Sequence, residues 1–215
     1  MKFLLIVLLF TLLITFSIAE FNVVDYCVSN LKLPKTPAGY PCVNPDKLTS
    51  DDFIFTGFHN PGNFDTIFKF AAILANEETF PALNGLGLTM ARLDLAVGGV
   101  VPIHTHRVSE IIIVIEGTII AGFIGTNNTA YYKILNKYDV MIFPHTLLHF
   151  QVNVGDTPAL AFVSLNSANP GFQTVSVALG ANDLPTEIIS KITLLDEQQV
   201  RRLKSIFGGT NQLIM

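Results

Sequence analysis

The chain has 215 residues, a formal net charge of −4 at pH 7 and only 14% charged residues, while 50% are hydrophobic. It has no cluster of lysine or arginine to attract nucleic acid or an anionic membrane surface, so we expect neither partner. A chain of this length can form one large all-β unit, and we predict one folded domain behind an N-terminal leader.

The first 19 residues have the features of a secretory signal peptide. Lys2 supplies a positive start, residues 3–16 are apolar, and Ser17-Ile18-Ala19 is a small-x-small cleavage site. The apolar run is shorter than the roughly 20 residues that a membrane span needs, and no basic cluster follows it. We therefore predict cleavage after Ala19 and secretion.

Residues 20–60 form a predicted N-terminal arm that is rich in proline and polar residues. The arm contains both cysteines of the chain, Cys27 and Cys42, which we expect to pair in an oxidising compartment. The absence of C-x-x-C spacing and of a nearby histidine argues against a zinc or redox site. A bridge here would pin an arm with little core of its own and stabilise it by ~3 kcal/mol.

Residues 61–182 are a series of short segments rich in Val, Ile, Leu and Phe, separated by Gly, Asn, Asp and Pro. Segments at this spacing predict a β-barrel or sandwich. The predicted strands cover 88–97, 110–125, 130–135, 139–144, 148–154 and 159–167, with 175–180 as one more. Asn127-Asn128-Thr129 is an N-glycosylation acceptor at Asn127, in a predicted exposed turn.

Residues 183–215 form a predicted C-terminal helical extension. Pro185 is placed in the first turn of a short helix, and Val200, Leu203 and Phe207 recur at helical spacing before Gly208 ends a longer one. The apolar faces of these helices must pack on the barrel wall or on a second subunit, which is compatible with a homo-oligomer.

The histidines are the main candidates for a functional site, because four of the five lie within residues 104–149. His104 and His106 lie in a strand-forming run, where residues two apart share a face and both rings can reach one ion. Glu110 can join them only if the chain turns back through residues 107–109, and four residues can bring their ends within ~7 Å. This turn has no glycine or proline to indicate it.

His149, on a later apolar strand, is the fourth candidate ligand. Three imidazoles and one carboxylate suit Mn(II) or Fe(II) with open coordination positions, although Zn, Ni and Cu also bind such ligands. Considered on its own, each histidine is equally consistent with a hydrogen-bonded residue of the core or with a surface residue. His145 and His59 have no such partners, and we interpret them as loop residues.

The spacing of these residues resembles that of the germin and germin-like proteins of plants, members of the cupin superfamily, and is closest to their auxin-binding branch. The first motif, G-x5-H-x-H-x3or4-E-x6-G, is met by Gly98, His104, His106, Glu110 and Gly117. The second, G-x5-P-x-G-x2-H-x3-N, is met at Pro144, His149 and Asn153. Tyr138 and Thr146 replace its two glycines, in turns where a positive φ is expected.

The resemblance implies a cupin β-barrel or jelly roll with C-terminal helices, secretion to the cell wall space and a hexamer built through those helices. It also implies one manganese ion held by His104, His106, Glu110 and His149, and a disulfide between Cys27 and Cys42.

Four functions remain open at this stage. The first is superoxide dismutation by manganese, an activity of proteins that this chain resembles. The second is oxalate oxidase, the activity of true germins, for which two asparagines orient the substrate: Asn84 matches the first, but Ala91 replaces the second. The third is binding of an auxin-like acid, with Phe143, Phe150 and Phe162 either lining a pocket or belonging to the core. The fourth is a structural or storage role.

Overall fold

The computed structural model describes residues 24–211. The predicted signal peptide, residues 1–19, lies outside the described residues, as do the first residues of the arm and the last four of the helical extension. Among the described residues no helix has the length and apolarity to cross a membrane.

Within residues 24–211, ten strands form two five-stranded sheets, and every strand pair is antiparallel. The strands are β1 Phe70–Ala75, β2 Thr89–Leu95, β3 Val100–Thr105, β4 Glu110–Glu116, β5 Ile119–Ile124, β6 Ala130–Leu135, β7 Val140–Phe143, β8 Leu148–Asn153, β9 Ala159–Leu165 and β10 Gln173–Thr174. The first sheet has the order β1-β2-β9-β4-β7, and the second has the order β10-β3-β8-β5-β6. The predicted all-β barrel is confirmed.

The core lies between the two sheets, because alternate residues of each strand point inward. In β9 every second residue is buried, from Ala159 to Leu165. In β4 the inward row is Glu110, Ile112 and Val114, all of them buried. Strand alternation therefore places a carboxylate in line with core aliphatic side chains.

The N-terminal arm is fastened to the barrel by the predicted disulfide and by polar contacts. Cys27 and Cys42 are bonded to each other. Asn84 accepts a hydrogen bond from the Tyr40 backbone N–H and donates one to the Tyr40 carbonyl. Lys35 forms an ion pair with Glu77, whose side chain is nearly buried. The disulfide thus closes a loop in the arm, and Lys35 and Tyr40 within that loop attach it to residues before β2.

Three α-helices follow the last strand within the described residues: α1 Val175–Gly180, which precedes the predicted extension, and α2 Thr186–Thr193 and α3 Glu197–Phe207, which lie in it. Pro185 is the residue that precedes α2, and Gly208 ends α3 in a left-handed conformation. Asp196 caps the start of α3 through the Gln199 backbone N–H. The two helices predicted from residues 183–215 are therefore present.

The prediction of a strand over residues 175–180 was wrong, because this segment is the helix α1. The alternating valines favour a strand locally, but packing against α3 decides the outcome. A Cβ atom added to Gly180 would lie only 2.8 Å from both the Leu203 carbonyl oxygen and the Phe207 ring. Only a glycine fits so close to α3. The sequence of residues 175–180 does not indicate this contact, because the contact depends on residues of α3.

Two non-glycine residues occupy the turns in which the motif has glycine. Tyr138 has φ +71° and Thr146 has φ +64°, so both turns do require the left-handed region, as expected. For an L-residue this conformation costs ~1–2 kcal/mol, and a β-branched side chain is the least suited to it. The Thr146 backbone N–H also donates to the His106 carbonyl, so this strain lies next to the histidine pair.

We expect Thr146→Gly to be more stable than Thr146→Ala by about 1 kcal/mol, because only glycine removes the left-handed strain. Urea unfolding of the two variants measures the difference. The alanine variant is the matched control, since it also lacks the threonine side chain. Equal stability of the two variants would contradict the assignment of strain to this turn.

Candidate metal centre

Three histidines and one glutamate meet at one point inside the barrel. His104 on β3 lies directly opposite His149 on β8 in the second sheet. His106 follows one residue after the end of β3, and Glu110 begins β4 in the first sheet. One ligand atom from each of these four residues lies within 4.8 Å of the other three. The structure therefore brings together the four residues that the spacing indicated.

The turn through residues 107–109 is held by hydrogen bonds to a later part of the chain. The Arg107 N–H donates to the Pro170 carbonyl at 3.0 Å, and the Ser109 N–H donates to the Asn166 side-chain oxygen at 3.0 Å. These hydrogen bonds fix the turn, which has neither the glycine nor the proline that such a turn commonly contains. They explain why the local sequence does not indicate the reversal that brings Glu110 back.

Each of the three imidazoles is oriented by a backbone carbonyl. The Nδ1 atoms of His104 and His149 lie 2.8 Å from the carbonyl oxygens of Pro102 and Leu147, and His106 Nδ1 contacts the carbonyl of Gly171. A carbonyl only accepts hydrogen bonds, so Nδ1 must carry the proton in the neutral ring. The lone pair of each ring is then on Nε2, as metal binding requires.

The centre of the cluster is crowded with electron-rich atoms. A carboxylate oxygen of Glu110 lies 3.0 Å from His106 Nε2 and 3.5 Å from His149 Nε2. His149 Nε2 is buried and makes no hydrogen bond to the described residues. Such a set of acceptors is stable only with a cation between them, either a proton on a ring nitrogen or a metal ion.

Burial changes the titration of this group. Burial, and then the neighbouring His149, lower the pKa of His104 to about 3, so this ring is neutral at physiological pH. Burial alone would raise the pKa of Glu110, but the nearby His106 and His149 outweigh it and bring the pKa to about 2. Neutral imidazole and ionised carboxylate are the forms that bind metal.

The geometry also fits one metal ion. Two ligand atoms ~2.1 Å from an ion and at a right angle to each other are ~3.0 Å apart, close to the distance between Glu110 and His106. Three imidazoles and one carboxylate leave coordination positions free on a six-coordinate ion. This donor set suits several divalent transition metals and does not by itself select one of them.

A cavity of about 700 Å³ adjoins the cluster, and His104, His106 and Glu110 form part of its wall. Most of the remaining wall is apolar and includes Phe68, Phe70, Ala91, Leu93, Val101, Val163 and Leu165. The wall also has polar residues, Asn63, Thr66, Asn76, Asn169 and Gln151. Of these five only Gln151 is buried: it is 1% exposed, and neither polar atom of its amide is hydrogen-bonded within the described chain. The cavity thus offers one metal cluster and one buried amide to a small molecule.

Phe143, Phe150 and Phe162, for which pocket lining and the core were the two alternatives, do not line this cavity. Phe143 is buried in the core and stacks on the His149 ring, with ring centroids 4.7 Å apart, while Phe162 packs against Phe58. Of the two interpretations of Phe143, Phe150 and Phe162, the pocket-lining one is wrong, since none of the three lies in the cavity wall. The residues Phe68, Phe70 and Phe172 take that place.

The assignment of Asn84 to the metal site was also wrong. Its amide is engaged with Tyr40 and donates to Cys27 Sγ, so it supports the N-terminal arm. Ala91 does line the cavity, on β2, and contributes no polar group there. Neither of the positions that the resemblance assigned to an oxalate-orienting asparagine supplies one.

Sequence reasoning missed Gln151, Gly171 and Phe172. Gln151 could have been found, because it lies two residues after His149 on the same strand and therefore faces the same side. The carbonyl of Gly171 could not, since any residue has a carbonyl and only the fold brings this one to His106.

The fold and the cluster define a double-sheet β-barrel protein with a candidate metal centre in its interior. A family model described as Cupin matches residues 56–201. Auxin-binding protein ABP19b of Prunus persica is 51% identical over 203 residues, which cover 94% of this chain and 97% of that protein. Germin-like protein subfamily 3 member 3 of Arabidopsis thaliana is 50% identical over 191 residues, covering 88% and 90%. The chain therefore belongs to the germin-like proteins of the cupin superfamily.

Solved structures agree with this assignment. A structure of oxalate oxidase superimposes with a TM-score of 0.82 and 32% identity, over 86% of this chain and 96% of that one. Peruvianin-I from Thevetia peruviana latex, described as a cysteine peptidase, gives a TM-score of 0.69 and 42% identity, over 73% and 97%. This chain has only two cysteines, and both are in the disulfide.

The metal-free protein should lose stability as the pH falls. An unfolded histidine is protonated near pH 6.5, but buried His104 only near pH 3, so the unfolded state binds more protons between these values. The free energy of unfolding therefore decreases as the pH is lowered through this window, on the order of 2 kcal/mol by about pH 4.5. Glu110, with its pKa near 2, adds a further loss below about pH 4.5.

Urea unfolding of metal-free protein at about pH 7 and pH 4.5 measures this loss. His104→Gln removes the titrating group and should make the stability less dependent on pH, whereas His145→Gln, at an exposed loop position, should behave as the wild type. An equal loss in the wild type and in His104→Gln would show that His104 is not responsible.

Proposed function

We propose that this chain is a secreted manganese protein that dismutates superoxide. The observation that carries the proposal is the buried group of three oriented imidazoles and one carboxylate, which opens onto a cavity. Manganese is favoured by the resemblance of both histidine motifs to those of the germins. When bound there, manganese alternates between two oxidation states, so that two superoxide ions and two protons yield O2 and H2O2.

The metal ligands, the backbone carbonyls and Gln151 would each have a separate role at this site. His104, His106, Glu110 and His149 hold the ion, and the barrel interior keeps their lone pairs away from bulk water. The three backbone carbonyls keep the rings in the metal-binding tautomer without adding charge. The buried amide of Gln151 provides a hydrogen-bonding group in the cavity for a small oxygen species.

The rate of superoxide decay per bound manganese tests the proposal. Fully metallated protein should exceed free aqueous manganese by a wide margin. His106→Ala should lose at least tenfold in metal affinity and fall to the rate of the free ion, because one of four ligands is gone. His145→Ala is the matched control and should keep both properties. A wild-type rate no higher than that of the aqueous ion would end the proposal.

A second candidate function is binding of an auxin-like carboxylic acid without turnover. The specific observation in its favour is the cavity: about 700 Å³ with mainly apolar walls is far more than superoxide or oxalate needs, and it suits a molecule with an aromatic ring. The ion would hold the carboxylate of such a ligand. The relatives from Prunus persica are named auxin-binding proteins.

Calorimetry with indole-3-acetic acid tests this second candidate. Manganese-loaded protein should bind the acid, and the metal-free protein should bind it at least tenfold more weakly, because the carboxylate then has no cation. Benzyl alcohol, which has a ring but no carboxylate, serves as the control ligand. If neither form of the protein releases heat with the acid, the cavity does not bind this class of ligand.

Oxalate oxidase is a weaker candidate, although a structure of that enzyme resembles this fold. A dianion needs polar groups to orient it, but Ala91 is apolar and Asn84 is engaged in the arm. Release of CO2 from oxalate at a normal enzymatic rate would reverse this ranking. A purely structural or storage role predicts instead that His106→Ala leaves the assembly and its role intact.

We propose that the chain forms a homo-oligomer, a hexamer by its resemblance to germins, through the C-terminal helices. The helical extension exposes several large apolar side chains: Leu184, Ile192, Leu194 and Ile206. Leu194, at the end of α2, is 93% exposed. We propose that these side chains form part of the interface, since exposed apolar surface is typical of sites of protein association.

Leu194→Glu should reduce the oligomer to smaller species, because it places a charge in the proposed interface, and the monomer fold should persist. Ser205→Glu, at an exposed position on α3, makes the same charge change and serves as the control. Light scattering after size-exclusion chromatography measures the mass. An unchanged mass for Leu194→Glu would exclude this part of α2 from the interface.

The disulfide supports the proposed secretion to the apoplast, since disulfides persist in oxidising compartments. Asn127 is exposed in the turn between β5 and β6, where a glycosylation enzyme could reach it. The proposed glycan would appear as a mass that Asn127→Gln removes from protein purified from its own source; an identical polypeptide mass would show that the site is unused.

A further inference from the structure

The segment that joins β9 to β10, residues 166–172, runs beside the metal cluster, and we call it the strap. Six successive strap residues accept a hydrogen bond from the body of the barrel or the arm junction. The donors are Ser109 N–H to the Asn166 side chain, Thr89 hydroxyl to Ser167 O, Glu77 N–H to Ala168 O, Arg107 guanidinium to Asn169 O, Arg107 N–H to Pro170 O and His106 Nδ1 to Gly171 O. The strap is therefore fixed in place.

Phe172 is the last residue of the strap, and its ring covers the cluster. The ring centroid lies 4.8 Å from that of His104 and 5.6 Å from that of His106. Phe172 is nevertheless 55% exposed, whereas His104 is buried. It also forms part of the cavity wall. A molecule that reaches the cluster through the cavity therefore meets this aromatic ring.

Arg107 holds the part of the strap that leads to Phe172. Its backbone and guanidinium bind two successive strap carbonyls, at Asn169 and Pro170. Its guanidinium also lies where a side chain at Gly171 would be, since a Cβ atom there would be 3.1 Å from it. Gly171 has φ +69°, a conformation that suits glycine. The turn residue that follows His106 thus sets the place from which the Phe172 ring projects.

We propose that Phe172 is the specificity-determining residue of the cavity, and that it favours flat aromatic carboxylic acids over small inorganic anions as ligands of the cluster. The proposal rests on the proposed metal site and on its second candidate function, and it competes with the first, because superoxide is itself a small inorganic anion. An aromatic ligand gains by packing its ring against that of Phe172. A small hydrated anion gains nothing from the ring and must lose water beside an apolar surface.

The experiment compares manganese-loaded wild type with Phe172→Ala and Phe172→Leu. Metal content is measured first, and then the dissociation constants of indole-3-acetic acid and of azide are measured by calorimetry. Metal content should not change. Phe172→Ala should weaken binding of the aromatic acid about tenfold and leave azide binding unchanged or stronger, so that the ratio of the two constants shifts about tenfold. Phe172→Leu keeps apolar bulk without a ring and should fall between.

Three further variants complete the test. Tyr138→Ala removes another aromatic side chain, which is 66% exposed and lies outside the cavity wall, and it should change neither constant. Arg107→Met loosens the strap and should shift the ratio in the same direction as Phe172→Ala. Arg202→Met, at an exposed position on α3, should not.

The outcomes separate this proposal from the metal site itself. A wild type that binds no manganese overturns both. A wild type that binds manganese but not indole-3-acetic acid overturns the ligand class and leaves the metal site standing. If Phe172→Ala holds its metal and the ratio of the two constants stays that of the wild type, Phe172 does not determine specificity.

Discussion

The crowding of four electron-rich atoms in the interior of the barrel, where His104, Glu110 and His149 are buried, is the constraint on which this structure depends. Left alone, three imidazole lone pairs and a carboxylate would repel one another and would attract water. The barrel keeps them together by fixing each ring through its other nitrogen, so that none can turn its lone pair away. The strain is relieved only by a positive charge at the centre, which is what makes this a site for a cation.

The two sheets contribute differently to the site. The second sheet supplies His104 and His149 as a cross-strand pair, which strand pairing alone brings face to face. The first sheet supplies Glu110 from an inward row that is otherwise aliphatic. The core between the two sheets keeps these donors apart, and its side chains reach the cluster itself: Phe143 stacks on the His149 ring, and Ile112 is the next inward residue after Glu110.

The sequence predicted the parts of the molecule in which signals are local. Alternation and turn residues located β2 and β6 to β9 closely, whereas β4 and β5 were predicted as one segment, 110–125. The histidine spacing indicated all four members of the cluster. The strand β1 was not predicted, because its run of alanines has little strand propensity. Helix α1 was mistaken for a strand, since the close packing that decides it lies in α3.

The strap marks the limit of such reasoning. Its six hydrogen bonds use mainly backbone groups, which every residue has, and they join positions as far apart as Glu77 and Ala168. Nothing in the sequence around Arg107 indicates that this turn is held by hydrogen bonds to Pro170 and Asn166. The site was therefore predictable as a set of ligands, but not as a set of ligands with their supports.

One of those supports bears on how the protein is made. The carbonyl that orients His106 belongs to Gly171, which follows it by 65 positions in the chain. Most of the barrel must therefore be synthesised before the His106 ring can take its orientation. The N-terminal part of the nascent polypeptide cannot form the site on its own. A metal ion that binds this cluster would for this reason be loaded late in biogenesis, from the compartment in which folding ends.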